Sequence, residues 1–484
     1  MSDPYRIRVP MFIRNHAARI AGRVLVALAT VAVATGALVL APADVTAQPA
    51  PAAPKLPFEK FTLPNGLEII LHVDRSTPIV AVNTWYKVGS GDEKPGRTGF
   101  AHLFEHVMFM GSEHVPVGKF DEWLEAAGAN NNGTTNFDRT NYYETGPSNA
   151  LPLMLWLDAD RMGWLLPTMD LPKVNVQRDI VKNERRQSYD NVPYGRASET
   201  ILAALFPAGH PYSWPVIGSM TDLSAASVDD VKEFFRKYYA PNNASIAIAG
   251  DFNPDSAKAW VRKYFGNVPR NPDAPVRPSV VPVALAKDTV LVQEDRVQLP
   301  RAYYAWHGVK AFHADEPALD ALVSILAGGK SSRLYRTLVY EKQIAQDVGM
   351  SNQASKLDGM ILLTSTAKPN VNPRDIAREF DAAIRKVADE GVTERELTRV
   401  KNGVRAGVLD DLSSVLGKAD RLSMYNYFVG NPDYIQQDLA RYERLTLADV
   451  QRVAKQYVQG KPKVVMTVVP EGKKDLALTA GGPN

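Results

Sequence analysis

Apolar and polar positions along the chain fall into strand-length blocks and helical stripes. Residues 68–73 and 79–88 are apolar runs of strand length, and the first follows Thr62-Leu-Pro-Asn-Gly-Leu67, which has the composition of a hairpin turn. Residues 100–110 read as a helical segment. Residues 119–127 place Phe120, Trp123 and Leu124 on one face of a short amphipathic helix. The stretch 132–145 is polar and β-rich, and 151–165 and 173–189 read as helices. Two further apolar strands, 245–249 and 464–469, each follow a helix and a turn.

Those last two strands close a weak internal repeat. The first copy runs Leu223…Val228-Asp-Asp-Val231…Tyr238-Tyr239-Ala-Pro-Asn-Asn and then strand. The second runs Leu445…Val450…Tyr457…Gly460-Lys-Pro and then strand. Between the copies, residues 267–278 carry four prolines in twelve positions, a linker composition. The pattern predicts an α+β protein of two homologous domains, each an antiparallel-rich sheet with helices packed on one face. The expected division is a first domain at 58–268, a linker at 269–288, a second domain at 289–475 and a tail at 476–484.

The N-terminus has a different character. Arg6, Arg8, Arg14, Arg19 and Arg23 precede the small-apolar run Val24 to Leu40, and Val45-Thr46-Ala47 supplies small residues before Gln48. This is the form of an export leader at 1–47, followed by a Pro/Ala-rich tether at 48–57. A cleaved leader implies a periplasmic or otherwise exported protein; an uncleaved one would act as a membrane anchor. Net charge is only +3 and no basic stripe is interleaved with aromatics, so nucleic acid is not an expected partner. The absence of Cys removes thiolate ligands and Cys nucleophiles, so a transition metal would need His and carboxylates.

One motif carries chemistry. In His102-Leu-Phe-Glu105-His106 the two imidazoles, four residues apart, lie on one face of a helix and can meet one metal. Glu105 lies beside that face and can reach a water on the metal without being a ligand. This is the inverted zincin order, with the Glu against the second His. A catalytic zinc usually takes three protein ligands, and a carboxylate is the natural third. Glu184, in the helical pattern Arg178-Asp-Ile-Val-Lys-Asn-Glu184-Arg-Arg, is a candidate, though a Glu among basic residues is also the mark of a solvated helix face.

At these residues the chain resembles the pitrilysin-type, or insulinase-like, metallopeptidases, in particular their half-size members and the mitochondrial processing peptidases. Gly89-Ser-Gly-Asp-Glu93…Gly99-Phe-Ala-His102-Leu-Phe-Glu105-His106-Val-Met-Phe-Met-Gly111-Ser is similar to the family's signature stretch. His210-Pro-Tyr212…Ile217-Gly218 and Tyr238-Tyr-Ala-Pro-Asn-Asn-Ala244…Gly250-Asp251 match later blocks. The separation of His106 from Glu184 fits the family's third ligand. The resemblance implies two homologous domains enclosing a chamber, one Zn2+ per chain on His102, His106 and Glu184, Glu105 as general base, and peptide substrates. It also implies an edge strand at Asn132-Gly133-Thr134-Thr135 that holds substrate as an added strand, with Asn132, Gly133 and Thr135 as binding residues; a plain Asn-Gly turn is the alternative.

Two departures qualify the resemblance. Gln177 stands where the family often has a supporting Glu, so it is the expected outer-sphere residue. The Arg and Tyr with which active relatives contact the substrate carbonyl align here with Tyr340 and Asp347, while Arg333 and Arg336 read as helix-surface residues. A homologous partner subunit is therefore expected to supply that pair, with a homodimer as the alternative. A non-catalytic chamber or scaffold subunit and a peptide-capture protein are the competing function classes.

Overall fold

The computed structural model of the chain describes residues 55–273, 275 and 283–479. The expected leader, the tether before residue 55, linker residues 274 and 276–282, and tail residues 480–484 lie outside the described residues. Among the described residues no helix is long and apolar enough to cross a membrane.

The hairpin expected at 62–67 pairs β1 (Glu59–Thr62) with β2 (Glu68–Val73), Glu59 opposite Leu71. With β3 (Ile79–Tyr86), β4 (Asn130–Thr135), β5 (Thr140–Pro147) and β6 (Ala244–Gly250) they form one sheet in the order β1-β2-β6-β3-β5-β4. A second sheet holds β7 (Thr289–Asp295), β8 (Arg301–His307), β9 (Ala345–Ala354), β10 (Gly359–Ala367) and β11 (Val464–Pro470) in the order β7-β11-β8-β10-β9. Without β1, the two orders are the same. The strand directions agree as well: β2 with β6 and β7 with β11 are parallel, and every other neighbouring pair is antiparallel. The repeat seen at the ends of the two copies therefore extends through a whole unit.

The first half of the chain carries α1 (Phe100–Val107), α2 (Lys119–Ala126), α3 (Leu151–Trp164), α4 (Leu171–Arg185), α5 (Ala197–Leu205), α6 (Met220–Ala225), α7 (Val228–Tyr238) and α8 (Pro254–Phe265). The second half carries α9 (Glu316–Ala327), α10 (Pro373–Glu390), α11 (Glu394–Asp411), α12 (Val415–Val429), α13 (Ile435–Glu443) and α14 (Leu447–Val453). The helices that precede the closing strands, α7 and α14, both open with a capping box, Ser227 with Asp230 and Thr446 with Asp449. In each, the first turn's free N–H groups are satisfied locally.

Helices on one face of a sheet were expected, and the opposite face has its own cover. On β3, Val80, Val82 and Tyr86 enter the first core, and Thr84 Oγ1 donates to Asp158 of α3 at 2.5 Å. The intervening residues meet α12 of the other half: Asn83 donates to Asp420 at 3.1 Å, and the Trp85 and Tyr427 rings lie 6.0 Å apart. The exchange is reciprocal. Ile201, Leu202 and Leu205 of α5 form a core with Tyr303, Ala305, Met466 and Val468 on β8 and β11. Burial on both faces explains why β3 and β6 are apolar almost throughout, with little of the alternation of a half-exposed strand.

Candidate metal centre

Helix α1 starts where Gly99 adopts a φ of +86°, a left-handed conformation that suits glycine. Leu103, Phe104 and Val107 are buried in the core, which turns His102 and His106 toward α4. The two imidazole centroids are 4.9 Å apart with their planes at 85°. Glu184 reaches them from the last turn of α4. Its Oε2 lies 3.7 Å from His102 Nε2 and 3.4 Å from His106 Nε2. One ligand atom from each of the three residues falls within 4.8 Å of the others, and among the described residues no other His/Cys/Asp/Glu group of three meets that spacing.

The charge states suit a cation. Burial, reinforced by the neighbouring His106, pulls His102 down to about 4, so its imidazole is neutral near pH 7. Burial acts to raise the Glu184 carboxyl, but the facing rings of His106 and His102 outweigh it and leave it below the usual range. Two imidazoles and a carboxylate are a known donor set for catalytic zinc. His102 Nδ1 is buried without a protein hydrogen-bond partner, which leaves Nε2 as the nitrogen facing the other two ligands.

Glu105 is held apart from this cluster. Thr135 Oγ1 donates to its Oε2 at 2.6 Å, and burial raises its carboxyl despite that bond and the nearby His106. Its methylene lies under β4: a Cβ on Gly133 would stand 2.9 Å from Glu105 Cγ, so glycine is what allows strand and general-base candidate to approach. β4 is the outermost strand of its sheet, so among the described residues its far edge is unpaired. Asn132 and Gly133 are paired in register with Tyr143 and Tyr142, which sets aside the plain-turn reading; the turn lies beyond, at 136–139. Asn132 is exposed and its Oδ1 accepts the Gly133 N–H at 2.9 Å. Of the three residues expected to bind substrate, Thr135 thus has its hydroxyl committed to Glu105.

Gln177, expected behind the ligands, is buried, and its amide meets the Met110 sulfur; no hydrogen bond joins it to His102, His106 or Glu184. It ties α4 to the segment after α1. Tyr340 is 78% exposed, and Asp347 on β9 accepts hydrogen bonds from Thr366 N and Oγ1. Arg333 and Arg336 pair with Glu396 and Glu341. Three residues near the centre drew no role from the sequence. Glu93 and Arg185 brace the ligand helices, and Arg139 lies near enough to Glu105 to favour its charged form. Glu93 stood inside the motif stretch; Arg139 and Arg185 carried no signal beyond their charge.

Fold and site together define a two-domain α+β chain with one His-His-Glu centre beside a free strand edge. Two family models match it: insulinase (peptidase family M16) over residues 68–210, and the peptidase M16 inactive domain over residues 225–404. The chain belongs to this M16 family. It is 31% identical to the zinc protease PqqE of Helicobacter pylori, over 85% of this chain and 93% of that one. The crystal structure of a protease from Helicobacter pylori superposes with a TM-score of 0.80 at 28% identity, covering 86% of this chain and 100% of that one. A probable mitochondrial-processing peptidase subunit beta of Arabidopsis thaliana is 22% identical over 87% of this chain and 78% of its own.

Proposed function

We propose that the chain is an exported zinc-dependent endopeptidase that hydrolyses unstructured peptides as the metal-bearing subunit of a heterodimer. The observation that carries this reading is the convergence of His102, His106 and Glu184 next to Glu105 at the free edge of β4. Zinc, when bound, supplies Lewis-acid chemistry at the scissile carbonyl. His102 and His106 would hold it through Nε2 and keep the imidazole proton on Nδ1. Glu105, fixed through Oε2 by Thr135, offers its other oxygen as proton acceptor for the attacking water and then donates to the leaving amine. Its raised carboxyl moves toward the range in which a general base works best near neutral pH. The edge of β4 would take the peptide as an added strand through main-chain hydrogen bonds, which suits substrates of varied sequence.

The partner follows from what Tyr340 and Asp347 lack. Neither offers a guanidinium and phenol pair to a substrate carbonyl, so we place that pair on a homologous subunit. The relative from Arabidopsis is itself named as a subunit. Export rests on the leader pattern at 1–47. The test measures zinc content and cleavage of an unstructured peptide by the mature chain alone and with its co-purified partner. We expect one zinc per chain, full activity only with the partner, and a fall of about 10²- to 10⁴-fold in Glu105→Gln at unchanged zinc content. Unchanged activity in Glu105→Gln would leave the peptide-capture or scaffold reading standing; full activity of the chain alone would remove the heterodimer.

A further inference from the structure

A buried polar chain joins the two helices that carry the candidate ligands, and the mechanism above does not use it. It starts at Glu93, 9% exposed and six residues before Gly99. Glu93 Oε1 accepts the Ala101 N–H at 2.7 Å, and Oε2 accepts the Gly99 N–H and the Trp214 Nε1–H, both at 3.0 Å. Two of these donors belong to the start of α1, where amides have no partner within the helix and an anion is favoured by the helix dipole. Trp214 opens the segment 214–218, which returns to the same helix start. Gly218, with φ at +72°, packs so closely on Gly99 that a Cβ there would lie 2.3 Å from Gly99 Cα. The Gly218 carbonyl then accepts from Arg185 Nη1 at 2.5 Å, and Arg185 Nη2 donates to Glu199 at 2.7 Å. Arg185 is 5% exposed and follows Glu184 directly in α4.

An ordinary helix cap needs none of this. A Ser or Asp at the cap position would satisfy the same amides without burying an ionisable group so deeply. Here a carboxyl group, which burial pushes well above the usual carboxylate range despite its three donors, and a guanidinium are both taken out of water. They do not pair with each other. Each grips the short segment 214–218 from its own side, one fixing α1 and the other α4. We propose that Glu93 and Arg185 are positioning residues that set the separation of α1 from α4, and so the convergence of His102 and His106 on Glu184. This rests on the reading that those three residues hold zinc, but the geometry it predicts exists without the metal.

Two measurements on the full mature chain decide it. The first is the crystal structure of metal-free Glu93→Gln, whose amide keeps one acceptor oxygen and loses the other. The His106 Nε2 to Glu184 Oε2 separation should widen beyond the 3.4 Å found here; an unchanged separation overturns the proposal. The second is the zinc dissociation constant from chelator competition, with thermal unfolding of the apo-protein recorded alongside. Glu93→Gln and Arg185→Met should each weaken zinc by about tenfold or more, Arg185→Lys should recover part of the loss, and the double variant should lose less than the product of the two. Trp214→Phe, which removes one of the three donors, gives a milder version if Glu93→Gln folds poorly. Zinc affinity unchanged in folded variants also overturns the proposal. A wild type that binds no zinc sinks the ligand assignment, while the apo geometry still decides the positioning role.

Discussion

In each half a helix lies against the outer strand of its sheet, α1 against β4 and α9 against β9, yet the polar groups at the two contacts do opposite things. In the second half Asp320 of α9 accepts from Tyr442 Oη at 2.6 Å and from Asn352 of β9 at 2.9 Å. Glu316, one turn earlier, pairs with Arg441 at 2.8 Å. Burial raises the Asp320 carboxyl, and its bonds to Tyr442 and Asn352 offset only part of that. In the first half, the Nε2 atoms of His102 and His106 point at a carboxylate more than 3 Å away, and His102 Nδ1 has no protein partner. One copy ties its carboxylates into the fold, although Asn352 Oδ1 is buried without a protein partner; the other leaves its polar side chains converging on a common point. Convergence, and not an isolated unpaired atom, is what marks the contact where chemistry is expected.

The sharpest way to break this comparison is to remove a ligand. His106→Ala should abolish stoichiometric zinc and peptidase activity together, with chelation of the wild type giving the same loss; metal analysis and peptide cleavage read both. Next comes Gly133→Ala, whose Cβ would meet Glu105 Cγ at 2.9 Å. Displacement of the general-base candidate should cost roughly tenfold to a hundredfold in kcat, since a misplacement of 1 Å can cost that much, at unchanged zinc content. The counterpart in the second half should behave differently. Asp320→Ala should destabilise the fold by about 1–3 kcal/mol, because it strands the Tyr442 and Asn352 donors, while turnover per folded molecule stays the same. Chemical denaturation and active-site-normalised kinetics separate the two. The smallest effect concerns Glu396, held down to about 2 by Arg333 against an ordinary carboxylate value of 4.5. Its folded-state pKa lies below the unfolded one, so its contribution is present above pH 4.5 and lost as pH falls toward 2. The acid limb of a stability–pH curve should be shallower in Arg333→Met.

The sequence pattern located β2, α1 and the closing strands of both copies because each is an apolar run bounded by turn residues. His102, Glu105 and His106 were legible because their spacing on a helix has few other readings, and the geometry around Glu184 is one that no pattern near residue 184 could convey. Other features depend on what a residue meets in space. Thr135, read as part of a substrate edge, also directs its hydroxyl to Glu105 of α1, a contact no local pattern conveys. Gln177 stands seven residues before Glu184 along α4, about two helical turns, which carries it past the ligands to Met110. Asp320 and Asn352 carried no signal, because a buried carboxylate and its amide partner sit on separate elements.

The reciprocal placement of α5 and α12 has a consequence for how the polypeptide can be divided. Each half alone would leave one sheet face bare and one apolar helix stripe, such as Ile201, Leu202 and Leu205, without a seat. Nicking the Pro-rich connection should therefore yield two fragments that stay together under native conditions and separate only on unfolding. Either fragment made by itself should self-associate or aggregate, and the two made together should find each other as a split protein does.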